Sequence, residues 1–228
     1  MKTIIRIVVA LIIIMAIPVL AFVYLTTGKP RDLGIKYTDQ DVITATTKNG
    51  VPSAAIVVTP GQEPLRYEGK QEIKTSFTSS EITAINNSNK YVYKPFSNVQ
   101  LKINSDGTGE ASGTLDVNKL LSLISFSYST DEIKKAISDY HIGLNPPFYL
   151  KGQVSVINNH VTLSPQTIEV GRIKIPQSIV SQNIGYIVSF ADSRLNSIPN
   201  LQIRSLDLNG GTVNLDATYP QKEYSLQN

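Results

Sequence analysis

The stretch VTLSPQTIEVGRIKIP, residues 161 to 176, decides what kind of fold this chain can form. Its apolar and polar residues alternate with the period of two that is typical of a half-buried strand. Four apolar residues fall in two phases of this alternation: Ile168 and Val170 in one, Ile173 and Ile175 in the other. A β-bulge near Gly171-Arg172 would let all four face the core. The stretch therefore predicts a long strand that bends near its end and stops at Pro176.

The residues that follow this strand predict the longest helix outside the N-terminal apolar segment. Between Ser178 and Leu195 the apolar residues recur every three or four positions, which places them on one face of an α-helix. This stripe consists of Val180, Ile184, Ile187, Val188, Ala191 and Leu195. A strand of alternating pattern followed by an amphipathic helix indicates a sheet with a helix packed on one face.

Further period-two segments come in pairs that are separated by turn residues, and such pairs predict β-hairpins. The pairs are residues 99–103 with 108–115, residues 148–157 with 161–175, and residues 201–208 with 212–219. Another strand is expected from Ala54 to Thr59. Together these segments predict an α+β fold, in which a curved antiparallel β-meander of hairpins packs around the long helix.

Three similar hexapeptides predict short helices: YTDQDV at 37–42, FTSSEI at 77–82 and YSTDEI at 128–133. In each, a Ser or Thr can accept a hydrogen bond from the backbone amide three residues later, and the acid there can accept from the amide of the cap. The flanking aromatic and β-branched residues fit a hydrophobic staple. Asp116 is expected to cap a further apolar run, which ends at Phe126. Catalysis by these hydroxyl and acid pairs would need a base and an orienting group, and neither lies nearby in the sequence.

The N-terminus contains an apolar segment from Ile4 to Leu25, which is long enough to cross a bilayer as a helix. Val19-Leu20-Ala21 offers small residues that a signal peptidase accepts, but the apolar run continues beyond them, so we favour an uncleaved anchor. Lys2 precedes the segment and Arg6 lies near its start, which predicts a single-pass protein of the cell membrane with its C-terminal part outside the cytoplasm.

This interpretation divides the chain into three parts. Residues 1–27 form the transmembrane anchor, residues 28–70 form a linker and N-terminal extension with a short helix and a strand, and residues 71–228 form the extracytoplasmic α+β domain. With 228 residues, 41% of them hydrophobic, the chain can bury a substantial core. It contains no cysteine, so an exported domain would depend on that core without disulfides.

The charges of the chain say little about its partners. The 21 basic and 18 acidic residues form no basic patch of the kind that binds nucleic acid. Lys29, Arg31 and Lys36 follow the apolar segment and can either contact anionic headgroups or serve as solubilising surface residues. The expected partners are therefore the membrane, a lipid or another envelope protein.

Residues 161–220 resemble a known family. The order VTL, IEVGRIKIP, a helix that ends near RLNSIPNL, and then TVNLDATYP is similar to the C-terminal half of the YpmS-like proteins, which are membrane-anchored bacterial proteins of unassigned function. The predicted architecture is also similar to that of tubular lipid-binding domains, in which a curved sheet wraps a long helix and leaves an apolar groove. The second likeness concerns the architecture alone and assigns no role to any residue.

The sequence contains no recognisable catalytic or metal-binding motif. His141 and His160 are its two histidines, and neither has a second ligand at helical or hairpin spacing. A nucleophile elbow, a metalloprotease motif and a nucleotide fingerprint are all missing from the sequence. We therefore predict a non-enzymatic protein without a cofactor or metal.

The preferred functional hypothesis is a groove for a lipid or another apolar ligand between the long helix and the sheet. Gly109, Ala111 and Gly113 alternate along one strand and would leave space there. The helix would contribute Val180, Ile184, Ile187 and Val188, although ordinary core packing explains the same pattern. Arg172 and Lys174 either guard the mouth of the groove or are solvated strand residues. The alternative hypothesis is an envelope scaffold or protein-interaction module with a dry core.

Overall fold

The computed structural model describes residues 28–50, 53–55, 65–89, 94–124 and 145–225. The predicted anchor and the helix predicted to begin at Ser129 lie outside these ranges. Within them, no helix is both long and apolar enough to span a membrane.

The described elements form an α+β structure with a mostly antiparallel sheet and few helices. The helices are α1 (Asp39–Asn49), α2 (Ser79–Ser88), α3 (Val117–Ile124) and α4 (Gln177–Ser197). The strands are β1 (Ser53–Ala55), β2 (Leu65–Glu68), β3 (Gln71–Thr78), β4 (Phe96–Ile103), β5 (Gly109–Leu115), β6 (Pro147–Ile157), β7 (His160–Val170), β8 (Ile173–Lys174), β9 (Gln202–Asn209), β10 (Thr212–Tyr219) and β11 (Lys222–Ser225). All three predicted hairpins are confirmed.

Strand β6 is the centre of the larger sheet. One of its edges pairs with β7 from Phe148 to Ile157. The other edge pairs first with β5 and then, at Val156 and Ile157, with β9. The strands follow the order β3-β10-β9-β6-β5-β4, with β7 added to β6 and β8 added to β7. Because β5 and β9 share an edge of β6, the sheet has two arms that meet at this strand.

The smaller sheet has the order β1-β11-β2 and joins the last described strand to two strands from the first third of the chain. Strand β11 pairs in parallel with β1 and antiparallel with β2. The sequence patterns do not predict β2, β3 or β11. These segments are short or polar, and their strand structure depends on distant partners. Strand β3, for example, pairs along its whole length with β10.

The core lies under the C-terminal half of α4. Its buried residues are Val156, Val161, Leu201, Ile203 and Ala217, which come from β6, β7, β9 and β10 and the loop before β9. Ala191 and Leu195 of α4 pack against them, so the C-terminal half of the predicted long helix packs on the sheet. Asp192 on the same helix accepts a hydrogen bond from the amide of Val161 at 2.7 Å and holds α4 to the start of β7.

The bulge predicted near Gly171-Arg172 is wrong. Both residues have positive φ, 59° and 62°, and they form a two-residue turn after which Ile173 pairs back onto Val170. Two successive residues in the left-handed region are characteristic of the tight turns that suit twisted hairpins. The bulge lies earlier, opposite Lys151-Gly152, where one extra residue of β7 separates Pro165 from Thr167.

Helix α2 protects the outer edge of β4. Ser79, Thr83 and Asn87 lie four residues apart on one face of the helix and bond Ile103, Leu101 and Val99, which lie two residues apart along the strand. Four helical residues rise about 6 Å and two strand residues about 6.7 Å, so the two repeats stay in register over this length. The side chains thereby satisfy backbone groups that an edge strand otherwise exposes.

The capping boxes of α1 and α2 are confirmed. Thr38 and Thr78 are the N-caps, and Asp41 and Glu81 bond back to the cap amides at 2.7 and 2.8 Å. Gly50, in a left-handed conformation, ends α1. Asp116 accepts from the amide of Lys119 at 3.0 Å at the start of α3.

Candidate functional site

One face of the sheet arm formed by β4 to β7 is apolar. Residues that pair directly across neighbouring strands point to the same side of a sheet. One such row is Leu101, Ala111, Leu150 and Ile168, and the next contains Gly113, Phe148, Val170 and Ile173. We call these eight residues, together with Gly109 and Ile103, the apolar sheet face. Val154 and Val156 continue the same phase of β6 into the core, so α4 lies on this side of the sheet.

The apolar sheet face is only partly covered. Phe148 is buried, whereas Leu150 and Ile173 are 41% and 43% exposed. Leu101, Ile103, Ala111, Ile168 and Val170 are half-buried. Large apolar side chains exposed side by side across several strands differ from the scattered surface hydrophobics of an ordinary protein and indicate a contact surface.

Neighbouring side chains fill the space that was predicted above Gly109 and Gly113. A Cβ at Gly113 would lie 2.9 Å from Cε1 of Phe148, and one at Gly109 would lie 3.0 Å from Cδ1 of Leu208. The two glycines thus allow aromatic and leucine side chains to lie directly on the backbone of β5. Ala111, between them, stands in the row with the exposed Leu150.

The helical residues of the predicted groove differ in their surroundings. Val180 is 5% exposed, Ile184 and Val188 are half-buried, and Ile187 is 45% exposed. Helix α4 packs against β7, and its first residue, Gln177, donates to the carbonyl of Pro165 at 3.3 Å. Since β6 separates β5 from β7, the glycine row and the helical stripe lie on the same side of the sheet but two strands apart.

The opposite face of this arm is polar and carries the chain that leads into the domain. Arg31 donates from one guanidinium nitrogen to both carboxylate oxygens of Glu169, at 3.0 and 2.8 Å, and its guanidinium lies 3.8 Å from the centre of the Tyr149 ring. Arg172 donates to the carbonyl of Lys29, and Gln100 accepts from the amide of Leu33. Residues 29–33, which we call the strap, therefore lie across β4, β6 and β7.

The strap covers the buried phenol of Tyr149, which bonds the half-buried acid Glu110. Tyr149 donates to Glu110 at 2.7 Å, and Glu110 also accepts from Asn104 at 3.0 Å. Burial and the hydrogen bond to Glu110 raise the pKa of Tyr149 to about 12. Burial by itself would raise the pKa of Glu110, but its bonds from Asn104 and Tyr149 outweigh burial and keep that pKa below the usual range. The network keeps the phenol protonated at neutral pH, which suits a structural hydrogen bond better than a catalytic base.

The basic residues and histidines named in the sequence analysis do not come together in one site. Arg31 is engaged with Glu169 and Tyr149, Lys36 lies beyond the strap, and Arg172 lies at the turn before β8. Lys174 is exposed on β8, opposite Glu169. His160 contacts Asp192 at 2.7 Å, and His141 lies outside the described residues. In the part of the chain that the structure describes, no three His, Cys, Asp or Glu side chains are arranged to hold a metal ion.

The sequence hypothesis missed the most exposed members of the apolar sheet face. The sequence patterns place Leu150 and Ile173 in strands but not in the groove. The signal was present in β6, where Phe148, Leu150, Val154 and Val156 share one phase of the alternation. The strand order needed to place Leu150 beside Ala111 could not be derived from that pattern.

Compared with protein families, with curated proteins and with solved structures, the chain matches none of them. The resemblance to YpmS-like proteins and to tubular lipid-binding domains therefore stays a prediction.

Proposed function

We propose that this protein is a membrane-anchored, extracytoplasmic and non-enzymatic module that binds a lipid or another apolar chain on the apolar sheet face, beside α4. The observation that carries the proposal is the exposure of Leu150 and Ile173 in two adjacent apolar rows, each of which crosses four strands. Such a row spans about 14 Å, because neighbouring strands lie about 4.8 Å apart. Each methylene group that an apolar ligand buries there would contribute about 0.8 kcal/mol.

The helix gives this surface a side wall. Ile184 and Val188 lie half-buried on the stripe that follows the buried Val180, and Ile187 is exposed. A ligand chain between this stripe and the row through Leu150 would contact apolar groups on two sides. This position differs from the groove predicted at Gly109 and Gly113, where Leu208 and Phe148 occupy the space.

The strap supports a position close to the membrane. It begins a few residues after the apolar segment 4–25 and is held to the polar face by Arg31 and Arg172. A domain fastened so close to the end of an anchor would stay near the bilayer surface, where lipid is available.

Photocrosslinking tests this proposal on the full chain. The protein is reconstituted in liposomes that contain a phospholipid with a diazirine at the end of one acyl chain, and crosslinked peptides are identified by mass spectrometry. We expect crosslinks on β6, β7 and the first half of α4 in addition to residues 4–25. Leu150→Asp should abolish the crosslinks on the sheet, because it places a charge in the apolar row.

Gln153→Asp is the matched control, since Gln153 is exposed on the polar face of β6 and receives the same new charge. It should leave the crosslinks unchanged. Crosslinks confined to residues 4–25 in the unmodified protein would contradict lipid binding. In that case the exposed apolar row would favour the alternative, a scaffold that docks another envelope protein on this surface.

A further inference from the structure

A groove of about 800 Å³ lies at the outer edge of β4. It adjoins the apolar sheet face, because its lining residue Phe96 packs edge-on against Phe148 with ring centres 5.3 Å apart. The residues that line it come from the segment before α1, from α2, from β4 with the residue Lys94 ahead of it, and from α3. Its floor is formed by Thr83 and Val99, which are 1% and 4% exposed. We call it the edge groove.

The charge of the edge groove has one sign. Lys36, Lys94 and Lys119 line it, and none of its described lining residues is acidic. The nearby Asp116 already accepts from the backbone amide of Lys119. Lys94 is half-buried and donates to the backbone carbonyl of Asn86, while burial lowers its pKa. Asp32 also lies near the groove, since the hydrogen bond from the Gly34 amide, that from Gln100 and the ammonium of Lys36 lower the pKa of its carboxyl. The three lysines still outnumber these two neighbouring acids, and such an excess of ammonium groups favours an anionic ligand.

Aromatic and amide side chains stand beside these cations. Tyr37 and Phe96 line the groove and are 43% and 39% exposed. Tyr37, which was predicted to act as a staple residue, thus presents much of its ring to solvent. Asn98 has φ 51° at the irregularity of β4, and both it and Ser97 are exposed. Asn side chains both donate and accept hydrogen bonds, and exposed aromatic rings offer flat apolar faces, a combination that matches hydroxyl-rich rings.

The walls of the edge groove are held in place independently of any ligand. Asn87 bonds both backbone groups of Val99, and Ser80 donates to the carbonyl of Lys36 at 3.0 Å. Gln100 accepts from the amides of Leu33 and Ile35. A ligand would therefore meet a largely preformed surface, which reduces the entropy cost of binding.

From this combination we infer that the edge groove binds an anionic polysaccharide, meaning a chain of sugar rings that carries phosphate or carboxylate groups. Lys36, Lys94 and Lys119 bind the anionic groups, Tyr37 and Phe96 contact the faces of the rings, and Asn98 bonds their hydroxyls. The edge groove meets the apolar sheet face only where Phe96 contacts Phe148, and the inference does not rest on lipid binding by that face.

Fluorescence anisotropy tests this inference on the full chain in a polyoxyethylene detergent, which contains no sugar. The labelled probes are phosphomannan fragments and oligogalacturonate, which present phosphate and carboxylate on sugar rings. We expect at least one of the two to bind, and their relative affinity identifies the anionic group. Dextran, which is neutral, and polyphosphate, which has no rings, should bind at least tenfold more weakly.

Paired variants separate the groove from net charge. Lys36→Gln with Lys119→Gln should lower the affinity for the bound probe at least tenfold. Lys70→Gln with Lys174→Gln removes the same charge at two exposed positions outside the groove and should change the affinity less than twofold. Tyr37→Ala should weaken binding of the sugar polymer but leave the weak binding of polyphosphate unchanged. Circular dichroism confirms that each variant is folded.

Three results would overturn the inference. The first is an equal loss of affinity in the two double variants, which would mean that only net charge matters. The second is tight binding of polyphosphate, which would show that rings are not recognised. The third is the failure of both anionic sugar probes to bind the unmodified chain.

Discussion

Helices α1 and α2 begin with the same local structure and differ in what surrounds it. In both, a threonine caps the helix and the acid three residues later bonds the amide of the cap, with distances that agree within 0.1 Å. In the described part of the chain, the side chain of Asp41 in α1 forms hydrogen bonds only with the capping threonine. Glu81, in α2, is 6% exposed and accepts from Lys48 with both carboxylate oxygens, at 2.7 and 2.8 Å.

Lys48 comes from the last turn of α1, so the second capping box is also the contact that joins the two helices. The same ammonium donates to the carbonyl of Ser76 at 3.0 Å and lies 5.9 Å from the centre of the Phe77 ring. A capping motif thus has a similar local effect wherever it occurs, but its weight in the stability of the protein depends on burial and on distant partners.

The largest expected difference between the two boxes comes from removing the acid. Glu81→Ala should lower the free energy of unfolding by about 3 kcal/mol, because it leaves the partly buried ammonium of Lys48 without its counterion and removes a cap. Asp41→Ala should cause a clearly smaller loss, since it removes an exposed capping contact only. Urea unfolding of the full chain, followed by circular dichroism, measures both. Equal losses would show that the contact with Lys48 adds nothing to the capping box.

The next largest difference concerns the middle of the two helices. Thr83→Val in α2 should cost about 2 kcal/mol, because the amide of Leu101 loses its hydrogen-bond acceptor beside the buried side chain of Thr83. Thr46→Val, on the exposed face of α1, is the matched substitution and should change stability by no more than about 0.5 kcal/mol. The same unfolding measurement applies. A small effect of Thr83→Val would mean that water replaces the hydroxyl and that the edge of β4 is more open than the structure shows.

The smallest difference is expected in the pH dependence of stability. Burial tends to raise the pKa of Glu81, but the hydrogen bonds from Lys48 and from the amide of Thr78 outweigh it and leave that pKa below its ordinary value of 4.5. The unfolded chain therefore takes up this proton at a higher pH than the folded chain. The resulting stabilisation is complete above pH 4.5 and is lost as the pH falls through the lower, folded-state pKa.

Glu81→Gln should accordingly flatten the loss of stability below pH 4.5. Asp41→Asn should act in the same direction, because bonds from the side chain and the backbone of Thr38 lower the pKa of Asp41, but solvent screens this exposed group and its effect should be smaller. Unfolding curves between pH 2.5 and 6 compare the two variants. A steeper acid limb in Glu81→Gln would reverse the assigned sign.

Features set by neighbouring residues could be predicted from the sequence. The sequence patterns correctly predict the capping threonines Thr38 and Thr78 and the turns that connect the three hairpins. Each depends on hydrogen bonds or φ values within a few residues. The turn at Gly171-Arg172 was missed, because a bulge and a tight turn both explain a change of phase in the alternation, and only the pairing of Ile173 with Val170 distinguishes them.

The candidate sites were less predictable than the elements that carry them. The stripe of α4 and the alternation of β5 could be read directly, but the partners of Gly109 and Gly113 proved to be Leu208 and Phe148, far away in the sequence. The edge groove was not predicted at all. A sign of its wall was present in the four-residue spacing of Ser79, Thr83 and Asn87, which places three hydrogen-bonding side chains on one helical face.

The sequence by itself determined where helices and hairpins begin and end, and which faces are apolar, because capping, turn formation and periodicity act over a few residues. Only the tertiary structure decided which acid is buried, which strand edges are covered and which apolar residues remain exposed. Those properties follow from contacts between segments such as β3 with β10 or the strap with β7, which lie more than 100 residues apart. Local patterns hold no information about which distant segments meet.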